Sequence, residues 1–176
     1  SDAGLIPWMY PDYQVVDGKD NQNTYEKFWG KEMDPKRGLT VVEIIHAIHD
    51  DQIKAMYIMG ENPAMSDPDQ KHARQALAKL DHLVVQDIFL TETAWHADVI
   101  LPSSAHAEKT GTYTNTNRTV QMGRQVLPPP GDARQDWWIT QAIAQRMGLD
   151  WSYLHPSDVF NDCLLYTSPS PRDVEE

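Results

Sequence analysis

The sequence predicts an α/β domain: a small parallel sheet with helices on both faces, in a three-layer, Rossmann-like arrangement. Three observations lead there. Short apolar runs of strand length recur at residues 53–59, 82–86 and 98–101. Between and before them lie segments whose apolar residues recur at helical spacing. The strands are continuously apolar rather than alternating, the pattern of strands covered on both faces and joined by helical crossovers, which are right-handed as a rule.

The elements follow in order. Residues 1–38 are punctuated by Pro7, Pro11, Pro35 and Gly38 and read as mostly loop with one short helix at 24–30. Thr40 with Glu43 three residues later forms a capping box. Val41, Val42, Ile44, Ile45 and Ile48 then mark a helix of about ten residues. The first strand, 53–59, is broken by Gly60-Glu61-Asn62-Pro63. Asp67 as cap and Pro68 at the first helical position start a helix running to Leu80, with Ala73, Ala76, Leu77 and Leu80 on one face. Residues 82–86 form the second strand, 91–96 a single helical turn, and 98–101 the third strand, ended by Pro102. Residues 111–121 suit an extended loop or irregular ribbon. Pro128-Pro129-Pro130-Gly131 is a rigid spacer. A last helix covers 136–147, with Ile139, Ala142, Ile143 and Met147 as its apolar face and Gly148 at its end.

Composition narrows the function classes. With 40% hydrophobic residues in 176, the chain is long and apolar enough to bury a core. A formal charge of −11 repels phosphate backbones and argues against nucleic-acid binding. No apolar run is long enough to cross a bilayer, and no signal segment opens the chain. It begins Ser1-Asp2-Ala3-Gly4, without an initiator Met, which fits a piece of something longer. The one Cys, Cys163, opens a stretch to Arg172-Asp173 that resembles a sequencing-library transposase adapter read in frame. Residues 163–176 are therefore read as adapter-derived rather than native, the alternative being a natural Pro/Ser-rich tail. Residues 1–162 then contain no Cys, hence no disulfide, thiolate metal ligand or iron–sulfur ligand.

In open α/β sheets, ligands bind beyond the carboxyl ends of the strands. Asn62 follows the first strand, Gln86 and Asp87 close the second, and Glu108 and Lys109 follow the third. Capping and turn formation would account equally for Asn62 and Asp87. There is no glycine-rich dinucleotide loop; Gly111-Thr112 either binds phosphate or forms a turn. His46 and His49 share a helix face, but no third ligand accompanies them, so no zinc site is expected.

Several strings resemble the catalytic subunits of formate dehydrogenases. They are Asp2-Ala3-Gly4-Leu5-Ile6-Pro7 with Tyr10-Pro11-Asp12-Tyr13-Gln14; Tyr57-Ile58-Met59-Gly60-Glu61-Asn62-Pro63; residues 84–93; Ala97-Asp98-Val99-Ile100-Leu101-Pro102; residues 108–115; and Arg134-Gln135-Asp136-Trp137-Trp138. Together they point to the molybdopterin oxidoreductase superfamily, and the Tyr-Pro-x-Tyr-Gln segment and Trp-rich helix resemble the soluble NAD-linked formate dehydrogenases. The resemblance implies a molybdenum or tungsten centre on two pterin guanine dinucleotides (bis-molybdopterin guanine dinucleotide). Residues 39–162 would be one cofactor-binding lobe, and residues 1–38 would pack on missing parts of the parent.

The cofactor positions that carry over are Asn62, Gln86, Asp87, Lys109 and Asp136, with Gly60 allowing close backbone approach. A carboxylate such as Asp87 can accept two parallel hydrogen bonds from a guanine edge. Asn62 and Gln86 can donate and accept. Lys109 offers a point charge to pyrophosphate. Asp136 either contacts the cofactor or caps its helix. The metal-ligating Cys or selenocysteine, its neighbouring His, an active-site Arg and the iron–sulfur cysteines lie outside the matched region. No residue here is then catalytic, and the chain alone would be inactive. The intact enzyme would be cytoplasmic. It would oxidise formate to carbon dioxide and pass electrons through iron–sulfur clusters and a flavin subunit to NAD. The partners implied are the rest of the catalytic subunit and those iron–sulfur/flavin subunits. The alternatives are another member such as a nitrate reductase, or a cofactor-free electron-transfer subunit related to the large iron–sulfur subunit of NADH dehydrogenase.

Overall fold

The computed structural model describes residues 6–10 and 13–167. They divide into two compact units: one takes the chain up to Glu43 and from Leu154 onward, the other Ile44–Tyr153.

In the first unit, β1 (Met9–Tyr10) pairs antiparallel with β2 (Gln14–Val15). Helix α1 spans Lys19–Trp29 and stops at Gly30, whose φ of 63° is the left-handed conformation favoured by a glycine cap. The expected short helix at 24–30 is therefore 11 residues long. Its first turn, Lys19-Asp20-Asn21-Gln22-Asn23, has no apolar residue and so left no periodic signal. Tyr10, Val16 and Tyr25 form a small core with Trp29 and Met33 against it. The Tyr10 and Tyr25 rings stack at 4.6 Å. Gln22 Nε2 donates to Met33 O and Met33 N donates to the Glu26 carboxylate, tying the following loop to the helix. The capping box forms as expected: Thr40 N donates to Glu43 Oε2 at 2.7 Å, and Glu43 N donates to Thr40 Oγ1 at 3.4 Å. It opens α2 (Val41–His49). A helix the sequence did not suggest, α6 (Pro156–Thr167), crosses the expected boundary at residue 162. Of the stretch read as adapter-derived, residues 168–176 lie outside the described residues, as do Pro11 and Asp12 of the Tyr-Pro-x-Tyr-Gln segment.

The second unit holds the predicted parallel sheet. β3 (Ala55–Met59), β4 (His82–Asp87) and β5 (Val99–Pro102) run in the order β3-β4-β5. The register aligns Ile58 with Val85 and Met59 with Gln86, then Gln86 with Leu101. One sheet face is dry: Ile58, Leu83 and Val85 pack with Ala64, Leu77 and Ala94. Ile45 and Ile48 of α2 pack on Ala73 and Ala76, with Met56 and Leu80 shared by both clusters.

The helix expected at 67–80 is two. α3 (Pro63–Ser66) starts right after Asn62, because Pro63 needs no hydrogen-bond acceptor at a first helical position. α4 (Gln70–Leu77) is capped by Asp69, not Asp67: the Asp69 side chain accepts from His72 N at 3.1 Å. Asp67 instead accepts from Asp69 N across the intervening turn. The opposite sheet face carries Tyr57, Met59 and Val99 and stays half open among the described residues. Helix α5 (Asp136–Arg146) reaches it near the carboxyl ends of the strands, so the third layer is much thinner than the sequence suggested.

The ribbon at 111–121 is an ordered hairpin, β6 (Gly111–Thr114) with β7 (Val120–Gly123). Tyr113 lies across it so closely that a Cβ on Gly123 would run into the Tyr113 ring. A larger residue there would have to displace the ring.

Candidate functional site

The carboxyl edge of the sheet gathers most of the predicted residues, and the strand register explains how. Successive strand residues point to opposite faces. Tyr57 and Gln86 therefore share the face opposite the dry core, while Ile58 and Val85 enter it. Gln86 has no exposed surface. Its Oε1 accepts a short hydrogen bond from Tyr57 Oη, and its Nε2 donates to Asp136 Oδ1 at 2.8 Å. Lys109 Nζ donates to Asp136 Oδ2 at 2.7 Å. Four side chains from β3, β4, the segment after β5 and the start of α5 thus form one chain, Tyr57–Gln86–Asp136–Lys109.

α5 is held there by backbone as well. Ser103 bridges Arg134 in parallel, as an extension of β5. Ser104 N donates to Arg134 O at 2.9 Å, and Arg134 N donates to Pro102 O at 3.1 Å. Ser104 is buried, and its hydroxyl has no hydrogen-bond partner among the described residues.

The electrostatics follow from this geometry. Partial burial pushes the Asp136 carboxyl up, but hydrogen bonds from Lys109 and Gln86, the Lys109 charge and a hydrogen bond from Ser103 outweigh it. The net result lies below the ordinary carboxylate value. Burial, and then the charge on Asp136, push the Tyr57 phenol up, against a hydrogen bond with Thr140.

The other predicted residues sit on the same edge in different roles. Gly60, at φ 63°, turns the chain out of β3. Its N donates to Gln86 O at 2.9 Å, and nothing lies within 4 Å of where a Cβ would stand. The backbone is open to close approach on that side. Asp87 is half-buried; its Oδ1 accepts from Ile88 N and Phe89 N, an Asx-type turn. Oδ2 has no partner among the described residues. Asn62 is turned away from the chain of four. Its Oδ1 accepts from Thr93 N and Thr93 Oγ1, and its Nδ2 donates to Glu92 Oε2 at 2.7 Å. That last bond holds the Glu92 carboxyl below its ordinary value. Asn62 thus fixes the 91–93 turn against α3, where buried Thr93 also accepts from Ala64 N at 3.0 Å. Glu108, the other polar residue at this edge, accepts from Ala105 N and caps its own turn.

Tyr57, Ser103 and Thr93 were not foreseen. Tyr57 carried a signal, a polar-tipped aromatic within an apolar strand; the two hydroxyls carried none.

Residues 16–146 match the family of molybdopterin oxidoreductases. The chain belongs to that family. Relatives agree with the resemblance in the sequence. The alpha subunit of an F420-dependent formate dehydrogenase from Methanocaldococcus jannaschii is 47% identical over 163 residues, 92% of this chain and 24% of its own length. A Bacillus subtilis protein assigned as a formate dehydrogenase is 45% identical over 161 residues, 92% of this chain and 16% of its own length. This molybdopterin oxidoreductase chain thus spans less than a quarter of the relatives it matches. Among solved structures, acetylene hydratase from Pelobacter acetylenicus superposes with a TM-score of 0.57 at 25% identity, covering 73% of this chain and 19% of that one. No helix among the described residues is long and apolar enough to cross a membrane.

The donor set left open at this edge is compatible with part of a molybdopterin cofactor. Asp87 keeps one carboxylate oxygen without a partner among the described residues, Lys109 keeps two N–H groups beyond Asp136, and the Gly60 backbone leaves room. Gln86 and Asp136 are taken up by each other and their neighbours, and Asn62 by the 91–93 turn.

Proposed function

We propose that this chain is part of the catalytic subunit of a formate dehydrogenase, and that its sheet edge holds one pterin guanine dinucleotide of a bis-molybdopterin guanine dinucleotide centre with molybdenum or tungsten. When bound, that centre supplies the two-electron chemistry that converts formate to carbon dioxide. The residues of this chain bind and orient it. Lys109 meets the pyrophosphate as a point charge, Asp87 accepts from the guanine edge, and the Gly60 backbone allows close approach. Iron–sulfur clusters elsewhere in the subunit and a flavin-bearing partner carry electrons to NAD, in the cytoplasm. The observation that carries the reading is an ammonium held at the carboxyl edge by Asp136, itself held by the buried Gln86 amide, beside a half-free Asp87 carboxylate. Formate as substrate is supported by the identity to formate dehydrogenases over 92% of the chain. NAD as acceptor is supported by the Tyr-Pro-x-Tyr-Gln resemblance; the archaeal relative is named for F420 instead.

The test is to determine the full coding sequence around this chain and assay the encoded enzyme. The reading expects an upstream Cys or selenocysteine followed by His, bound molybdenum or tungsten, and formate-dependent reduction of NAD rather than F420. Reduction of nitrate without formate oxidation, or a purified subunit with no pterin, would replace it with the corresponding alternative.

A further inference from the structure

The chain of four side chains has a direction, and its far end supplies the donor that completes it. A glutamine amide can sit in either of two orientations, with oxygen and nitrogen exchanged. At residue 86 the choice matters. One orientation gives Asp136 an N–H donor; the other sets a carbonyl oxygen against its carboxylate. The ionised Asp136 carboxylate only accepts, so Gln86 Nε2 faces Asp136 Oδ1 at 2.8 Å, and Gln86 Oε1 is left to the Tyr57 hydroxyl, which donates to it. Asp136 in turn takes the Lys109 ammonium at 2.7 Å. Gln86 is fully buried, whereas Tyr57, Asp136 and Lys109 are each partly exposed; Lys109 is the cation among them, and so the member that attracts an anion.

We infer that Tyr57 is a positioning residue, which holds the buried Gln86 amide in place by donating to its Oε1 and, through Asp136, places the Lys109 ammonium for an anionic diphosphate. Gln86 and Asp136 are then the support of the site: the amide is buried, and the Asp136 carboxylate repels an anion and acts through Lys109. The diphosphate part rests on the cofactor reading above; the Tyr57–Gln86–Asp136 coupling stands without it. The direction of the Asp136 shift agrees, since the Gln86 amide is among the groups that lower it.

The experiment uses the whole chain, isotope-labelled for NMR, as wild type and Tyr57→Phe, with inorganic pyrophosphate as the probe. The substitution removes the hydroxyl and keeps the ring. In the wild type, the Gln86 side-chain N–H signals shift with the titration of Asp136. In Tyr57→Phe, the Asp136 titration midpoint rises and pyrophosphate binds more weakly by about threefold to tenfold, the worth of about one hydrogen bond. A support of bulk packing alone would lower the melting temperature without moving that midpoint. An unchanged midpoint in folded Tyr57→Phe overturns the inference. Should the variant not fold, wild-type Gln86 signals that ignore the Asp136 titration overturn it equally. If the midpoint moves but the wild type binds no pyrophosphate, the coupling holds and the cofactor reading fails.

Discussion

Gln86→Glu puts the buried end of the site under the greatest load. The replacement keeps the shape of the side chain and introduces a carboxyl with no exposed surface, at the position from which Gln86 Nε2 now reaches Asp136 Oδ1 at 2.8 Å. Ionised, it would face Asp136 across a hydrogen-bond distance in a poorly solvated place, and burial and like charge would both raise its pKa. The magnitude is bounded, because the group can take up a proton instead. With an unfolded pKa of about 4.3 and 1.36 kcal/mol per unit, the ionisation cost at pH 7 cannot exceed about 3.7 kcal/mol. At pH 5 the same bound is about 1 kcal/mol. The sign follows from linkage. A carboxyl whose folded pKa is raised is tolerated below its unfolded pKa, and its penalty grows as pH rises toward the folded value. Guanidinium denaturation followed by Trp fluorescence, wild type against variant, should show a penalty of about 2–4 kcal/mol at pH 7 and about 1 kcal/mol or less at pH 5. A penalty equal at both pH values would refute the placement of Gln86 against Asp136. Gln86→Leu, which cannot ionise, should give that flat profile.

Three further outcomes follow. Lys109→Met removes the ammonium's hydrogen bond and charge and leaves Gln86 and Ser103 to hold the Asp136 carboxyl down; the stabilisation by ionised Asp136, present above its unfolded pKa and lost as pH falls through its folded value, should shrink by about 1 kcal/mol or less given the exposure of the pair. Denaturation at pH 7 and in the acid range checks the sign. Thr93→Val leaves Ala64 N and Asn62 Oδ1 without the hydroxyl they share and should cost about 1–3 kcal/mol, with faster amide exchange at Ala64. Leu83→Ala opens the dry face of the sheet at a residue 1% exposed and should cost about 2–5 kcal/mol in the same denaturation assay.

The parallel strands were legible because they are apolar throughout and bounded by Gly, Pro and Asp. β3, β4 and β5 lie within two residues of the expected spans. Polar helical turns were not legible. The first turn of α1 has no apolar residue, and Asp69 took the capping role assigned to Asp67 because two short helices replace one. The thinness of the third layer could not be read either, since Tyr57 and Val99 look as apolar in sequence as Ile58 and Val85. For the site, the edge of the sheet was legible from topology alone. What each residue does there was not, because it depends on which side chain meets which across 50 residues of sequence, as Gln86 and Asp136 do. The amide that looked ready for a ligand is buried, while the lysine held through Asp136 is partly exposed.

The most direct measurement of the central claim is a titration of the labelled whole chain with GDP, which carries the guanine and diphosphate of the proposed cofactor. Half a cradle should bind weakly, and the account predicts fast-exchange shifts confined to Gly60, to Asp87 and the two amides it holds, and to Lys109. Saturable shifts elsewhere, with that edge unmoved, would contradict it.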